Sequence, residues 1–235
     1  MAPPNYVCIG KGNCGSVWAL DHDDQNLAYK REDADPARSV QNDYDMHQRI
    51  LAITRGTIPV RVGASYHVLE QTDEEPWRGT GLPRCRTYVM ERIPAMPLSV
   101  RQTLINEFWP EHLRDTVSND RKNDDCLVRI YLGRRRLQRP ASVQRFASLR
   151  NFPLHVDQME ALGIHTDGMA HVLADTLARC YWTAHVDLND VEFVLAPPTS
   201  PHPPAVPFSV LLVEYILFGC SIMTAAEVSV LIARA

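Results

Sequence analysis

Apolar and polar positions alternate in short runs at the start of the chain. Asn5 to Lys30 reads as a strand, a glycine-rich turn and a second strand, followed by a hairpin at Asp21–Asn26 whose polar cluster separates the apolar runs Val17–Leu20 and Leu27–Tyr29. Runs of this length between turn formers predict an antiparallel β opening. Asp33–Ser39 is then a polar loop. Tyr44, His47, Ile50 and Leu51 recur at helical spacing, which predicts a helix over Gln41–Ile53 stopped by Gly56–Pro59. Two further strands are expected at Val60–Glu70 and Arg86–Ile93, on either side of the turn-rich stretch Gln71–Pro83, with Pro94 and Pro97 closing the second.

Past Leu98 the pattern turns helical, broken by an irregular polar stretch at Ser118–Asp125 that suits a surface loop. Thr166–Ala184 is the clearest helix: Met169, Val172, Leu173, Thr176, Leu177 and Cys180 form an apolar face, and His171, Asp175 and Arg179 lie off it. Val191–Leu195 reads as a short strand, Ala196–Pro207 as an extended proline-rich linker, and Phe208–Ala235 as an apolar tail. The expected organisation is a small β-rich lobe with one helix at 1–97, a partial helical lobe at 98–198, and linker plus divergent tail at 199–235.

With 235 residues, 45% of them apolar, the chain has material for one compact domain or two small lobes around a cleft. A formal charge of -4 supplies no global field to attract nucleic acid or an anionic membrane, so any such attraction must be local. The cysteines stand singly at Cys8, Cys14, Cys85, Cys126, Cys180 and Cys220, without a C-x-x-C pair or an H-x-x-x-H, which argues against a zinc module. Met-Ala-Pro-Pro-Asn at the amino terminus has neither a basic nor an apolar leader region, so a cytoplasmic or nuclear location with reduced thiols is expected.

Four segments carry candidate chemistry. Gly10-Lys11-Gly12-Asn13-Cys14-Gly15-Ser16-Val17 precedes Lys30 on the third expected strand. Glycines let a hairpin backbone approach phosphates that a strand lysine neutralises, although a tight turn also demands glycine for its own backbone. The helix that follows should supply an acid to that lysine, and Asp43 is preferred to Asp45 because it lies two turns before Ile50. Acids at a solvated helix start are the plain alternative. Tyr88-Val89-Met90-Glu91-Arg92-Ile93-Pro94 suits a hinge whose backbone, from Glu91 to Ile93, meets an adenine edge, or simply a strand end. His185-Val186-Asp187 leads through Asn189 and Asp190 to Glu192. An aspartate in such a loop orients an attacking hydroxyl, and an asparagine five residues on holds magnesium; in this chain that second position is Glu192. A polar helix-to-strand turn is the rival explanation.

Taken in order, the glycine loop, strand lysine, acid-bearing helix, hinge and His-x-Asp loop resemble the protein-kinase and aminoglycoside-phosphotransferase superfamily. More narrowly, Gly12–Ala19, Tyr29–Asp33, Asn42–His47, Cys126–Gly133, Ser148–Leu154 and Asn189–Pro198 resemble a fungal family, domain of unknown function 3669, whose members are sometimes labelled zinc finger proteins. The resemblance implies an α+β, protein-kinase-like two-lobed fold, a small antiparallel β lobe plus an incomplete helical lobe, and no established activity. It implies that Gly10, Gly12, Gly15, Lys30 and Asp43 serve the phosphates of ATP, that Glu91 and Ile93 serve its base, that Asp187 is the catalytic candidate, and that Glu192 is the metal candidate for magnesium. It also implies a strand ending in an aspartate motif, where this chain has Val210–Val213 running into Glu214-Tyr215-Ile216.

With that acid out of its expected place, the favoured reading is a pseudokinase-like or truncated protein that acts as a binding or scaffold module for a protein partner and is not an enzyme. One rival is an ATP- and magnesium-dependent phosphotransferase, acting on a small molecule or a protein, that recruits Glu192, Asp190 or Glu214. Another is a nucleic-acid-associated module using the basic stretch Arg129–Arg150, which includes Arg134, Arg135, Arg136, Arg139 and Arg145. Phe208–Ala226 approaches the ~20 residues that span a bilayer. Glu214 within it would cost about 2 to 3 kcal/mol in lipid, which argues against a membrane anchor.

Overall fold

Alternation builds the first sheet. The computed structural model describes residues 5–12, 15–21, 26–33, 39–54, 60–73, 77–136, 148–187, 191–197 and 213–217, the last as backbone alone. Strands β1 (Tyr6–Gly12), β2 (Gly15–Leu20), β3 (Leu27–Arg31), β4 (Ser65–Leu69) and β5 (Thr87–Glu91) pair antiparallel in the order β1-β2-β3-β5-β4. Register sets Val17 beside Lys30 and Lys30 beside Tyr88, while Trp18, Tyr29 and Val89 form the adjacent cross-strand row. Neighbouring rows face opposite ways, so the two sets line opposite faces of the sheet.

The Tyr29 and Val89 face is capped by Trp77, which comes from the turn-rich stretch between β4 and β5. Its ring meets Tyr6, Trp18 and Tyr29 at 4.8, 6.3 and 5.9 Å, and its indole N–H donates to Thr87 Oγ1 at 3.0 Å. Beneath that cap Arg31 is fully buried, its guanidinium 4.4 Å from the Trp77 ring and bonded to Asp33 and the Pro83 carbonyl. The Lys30 face meets helix α1 (Val40–Thr54), where Val40, Asp43, Met46, His47 and Ile50 are buried at a spacing of three and four residues. Expected strand Val60–Glu70 is shortened to Ser65–Leu69 because side chains take the earlier backbone groups: His47 bonds the Gly63 carbonyl and Glu91 accepts the Ala64 N–H.

Two compact units are present. The first takes its described residues from Met1–Arg92 and Ala174–Val191 together with Leu217, the second from Ile93–Leu173 and Glu192–Ile216. Helices α2 (Leu98–Phe108), α3 (Glu111–Asn119) and α4 (Val156–Ala161) belong to the second unit, whereas α5 (Thr166–Trp182) starts in it and ends in the first. Through that last part of α5 the chain returns to the core of the first unit, where Met46 and Ile50 pack with Cys180, Ala184 and Val186 in one apolar cluster. Leu173, Thr176 and Cys180 are buried, whereas His171, Asp175 and Arg179 are exposed and Asp175 pairs with Arg179 at 2.9 Å.

The second unit departs from the helical lobe expected of 98–198. Its helices accompany strands β6 (Val128–Tyr131), β7 (Phe152–His155), β8 (Glu192–Leu195) and β9 (Val213–Leu217), paired in the order β7-β6-β8-β9. Strands β6 and β7 run parallel; β6 and β8 run antiparallel. Strand β8 falls on the short strand expected at Val191–Leu195, whereas β6 and β7 pair in parallel with partners remote in the chain, which local alternation does not register. The stretch Ser118–Asp125 is likewise not a free loop: it ends α3 and forms a 3-10 turn at Arg121–Asn123. Asn123 fixes that turn from inside, donating to the Val117 carbonyl at 2.8 Å and accepting the Leu149 N–H at 2.8 Å.

Candidate functional site

Lys30 and Asp43 meet on the helix-facing side of the first sheet, Nζ to Oδ2 at 2.5 Å, with side chains only 11% and 10% exposed. Strand β3 aims the lysine and the start of α1 aims the acid. Asp45, the other candidate, is exposed and accepts from Gln41 at 2.9 Å instead. An ammonium this sequestered needs an anion, and a carboxylate on a rigid helix both supplies one and fixes the direction of the remaining N–H donors.

One turn beyond Asp43, His47 is 3% exposed. Its Nε2 lies 2.8 Å from the Gly63 carbonyl oxygen, which can only accept, so Nε2 carries the proton. Nδ1 then accepts from the Tyr88 hydroxyl at 2.5 Å. The Tyr88 oxygen lies 2.7 Å from Ser65 Oγ, which receives an N–H from Gln48 at 3.0 Å. Burial holds His47 down to about 4, outweighing the Gly63 bond and the charge of Glu91, and it also pushes the Tyr88 hydroxyl up.

That depression fixes a pH dependence. Between the ordinary histidine value near 6.5 and the native value of about 4, the unfolded chain binds a proton that the folded chain refuses. Stability is therefore level above roughly pH 6.5 and falls as the pH drops toward 4, by on the order of 3 kcal/mol in all. Urea unfolding at a series of pH values should show this slope, and His47→Gln should flatten it. A wild-type slope unchanged by the substitution would assign it to other groups.

The glycine turn is held from the opposite face. Asp33 accepts both the Ser16 backbone N–H at 2.9 Å and the Ser16 hydroxyl at 2.6 Å, and Arg31 Nε lies 3.1 Å from the same carboxylate. Partial burial alone would raise Asp33; the Ser16 and Arg31 bonds override it and hold the carboxyl below its usual range. Gly15 has φ of +129°, and a Cβ there would sit 2.0 Å from the Arg31 carbonyl oxygen. Gly12 is different, with nothing among the described residues within 4 Å of the carbon that an alanine would add, and at Gly10 the nearest atom is Val17 Cβ at an ordinary 3.4 Å. Fold geometry therefore demands glycine at Gly15 and leaves Gly10 and Gly12 to another cause. Asn13 and Cys14 lie outside the described residues.

At the end of β5, Glu91 is turned toward the segment before β4: its carboxylate pairs with Arg61 at 2.5 Å and accepts the Ala64 N–H at 2.7 Å. Its own N–H goes to the Ala64 carbonyl, and the Arg92 N–H to that of Asn26. Glu91 belongs to the first unit and Ile93 opens the second.

Asp187 is half-buried and belongs to the first unit with Lys30 and Asp43. Helix α5 delivers it. His185 takes a left-handed backbone at φ 55°, the Val186 N–H returns to the Cys180 carbonyl, and Val186 joins Met46 and Ile50 of α1 in the apolar cluster. Asp43 and Asp187 thus flank one core, the first a helical turn before Met46 and the second next to Val186. Leu188, Asn189 and Asp190 lie outside the described residues. Glu192 lies in the second unit, at 2.8 Å from Arg129. Among the described residues no group of three or more His, Cys, Asp or Glu side chains is placed to hold a metal ion.

Three arginines of the basic stretch pair with acids of the second unit. Arg135 makes a double contact with Glu160 at 2.7 Å, Arg136 pairs with Asp157 at 2.8 Å, and Arg129 has Glu192. Such pairs reduce the field available to a phosphate backbone. Arg139 and Arg145 lie outside the described residues, as does Phe208–Ala226 apart from the backbone of β9. No helix among the described residues is long and apolar enough to cross a membrane.

Helical spacing marks His47 only as one more position on an apolar face, and it gives no role to Tyr88, Ser65, Arg31 or Asp33. Part of the signal is nevertheless in the sequence: two side chains with polar tips, His47 and Tyr88, stand at buried positions of a helix and a strand, and buried polar tips require partners. No protein-family model, no curated protein and no solved structure matches the chain.

Proposed function

We propose that the first unit is a protein-kinase-like nucleotide-binding lobe, of the kind expected from the likeness to domain of unknown function 3669, and that the chain acts as a binding or scaffold module for a protein partner. The observation that carries this reading is an antiparallel sheet ordered β1-β2-β3-β5-β4, with a helix inserted between β3 and β4 and a buried Lys30–Asp43 pair joining strand to helix. In phosphoryl-transfer proteins of this class such a pair orients the lysine toward the α- and β-phosphates. Two further features support it. Gly10 and Gly12 lack a backbone need for glycine, which suits close approach of a phosphate, and Asp187 hangs from the core that seats α1.

Turnover is disfavoured on two grounds. The aspartate expected after the proline-rich linker is replaced by Glu214-Tyr215-Ile216, and Glu192 faces the cation Arg129. Losing a metal-binding acid removes several kcal/mol of transition-state stabilisation, whereas affinity for the nucleotide survives on phosphate and base contacts.

A thermal-shift titration of the full chain with ATP, with and without magnesium, tests this. Binding stabilises the folded state by RT ln(1 + [L]/Kd), about 2.7 kcal/mol at a hundredfold excess over Kd. We expect a concentration-dependent rise in Tm without magnesium, lost in Lys30→Ala and retained in Asp187→Ala. A shift that requires magnesium and disappears in both variants would instead favour the phosphotransferase. No shift at millimolar ATP would end the nucleotide reading.

A further inference from the structure

We propose that Tyr88 and His47 are positioning residues that fix helix α1 in the one register where Asp43 reaches Lys30. An aspartate is one methylene shorter than a glutamate, so the helix that carries it must sit close to the sheet and tolerates little sliding along its axis. Apolar packing alone does not provide that constraint, because Met46 and Ile50 press on Cys180, Ala184 and Val186 through contacts without direction. Hydrogen bonds do, since they weaken steeply with angle and distance.

Tyr88 is the node of this arrangement. In the sheet it is the direct cross-strand neighbour of Lys30. Its ring meets Tyr44, the residue after Asp43, edge-on at 5.7 Å, and its hydroxyl bonds His47 one turn further along the same helix. A single strand residue thus grips α1 at two points along the turn that follows Asp43. His47 carries the grip on to the Gly63 carbonyl, and Gln48 repeats it at Ser65, so the helix is tied to β5, to β4 and to the segment before β4. Charged groups around the relay are Lys30 and Asp43 on the ion-pair side and Glu91 on the other. The consequence for phosphate binding rests on the nucleotide reading above; the positioning itself rests on geometry.

Lysine acylation separates the two. The chain has lysines at Lys11, Lys30 and Lys122, and Lys11 and Lys122 are exposed, so both serve as internal references when the full chain is treated with an N-hydroxysuccinimide acetate and mapped by peptide mass spectrometry without nucleotide. Paired and buried, Lys30 should react far more slowly than either. Tyr88→Phe should raise its relative rate about fivefold, the ratio that one ordinary hydrogen bond supplies. His47→Leu should do the same, and His47→Gln, which keeps an N–H for Gly63, should restore protection. If Tyr88→Phe does not unfold as a single cooperative transition in urea, Ser65→Ala takes its place with the same two outcomes. A folded variant whose Lys30 reacts as slowly as in the wild type overturns the proposal, because the relay then merely packs. Thermal shift with ATP on the same variants is the second arm: a wild type that does not bind ATP removes the nucleotide reading and leaves the acylation result to decide the positioning.

Discussion

Gly15→Ala is expected to cost the first unit about 3 kcal/mol or more, the upper range for a strained backbone position. Two effects act together. The φ of +129° lies in a region that side chains with a Cβ rarely adopt, and the added carbon would sit 2.0 Å from the Arg31 carbonyl oxygen, inside any possible contact distance. Relief requires β2 to move away from β3, and such movement strips Ser16 from Asp33, which holds it by two bonds at 2.9 and 2.6 Å. Gly12→Ala is the matched control, because nothing among the described residues lies within 4 Å of the added carbon. Its stability should stay within about 0.5 kcal/mol of wild type, as for ordinary surface substitutions. Urea unfolding of the two variants checks both numbers. Equal losses at the two positions would mean that the turn, not the Arg31 carbonyl, sets the requirement.

Asp43→Ala should be at least as damaging. Removing one partner of a sequestered ion pair typically costs roughly 3 to 5 kcal/mol, because the remaining charge keeps its desolvation penalty. Here the ammonium is 11% exposed and would lose the carboxylate 2.5 Å away. Replacing both groups with apolar ones of similar size removes charge and penalty together, so Lys30→Met with Asp43→Leu should recover most of the stability. The double variant should still fail to respond to ATP. Denaturant midpoints at constant m value give the first comparison, and the ATP thermal shift gives the second. A double variant no more stable than Asp43→Ala would show that the site does not tolerate apolar replacement.

What the chain discloses in advance depends on how local the cause is. Strands β2, β3 and β5 and helices α1 and α5 rest on alternation or helical spacing within a few residues, and the buried positions Leu173, Thr176 and Cys180 of α5 fall where spacing puts them. The α+β class follows from the same patterns. Strands β6 and β7 do not, since each is four residues long and each gains its partner from a distant segment. Trp77 comes from a stretch whose glycines and prolines mark it only as turns, yet it closes one face of a sheet. At the candidate site, Lys30 and Asp43 can be named because strand and helix periodicity aim them. Tyr88, His47 and Ser65 cannot, because their bonds depend on how a helix and two strands approach in three dimensions. Arg31 is the plainest case: a fully buried guanidinium in a polar run is explained only by Asp33, Pro83 and Trp77 arriving around it.

The apolar cluster that seats α1 joins Ile50 to Cys180, so the first unit is not complete when its five strands have been made. At ribosomal speeds of about 5 to 20 residues per second, the helix waits on the order of ten seconds for its cover. Until then Met46 and Ile50 lack the cover of Cys180, Ala184 and Val186, an invitation to chaperones and to aggregation alike. A nascent chain halted before Ala174 should therefore be retained by hydrophobic-peptide-binding chaperones, and release should come only as the segment through Val191 leaves the exit tunnel.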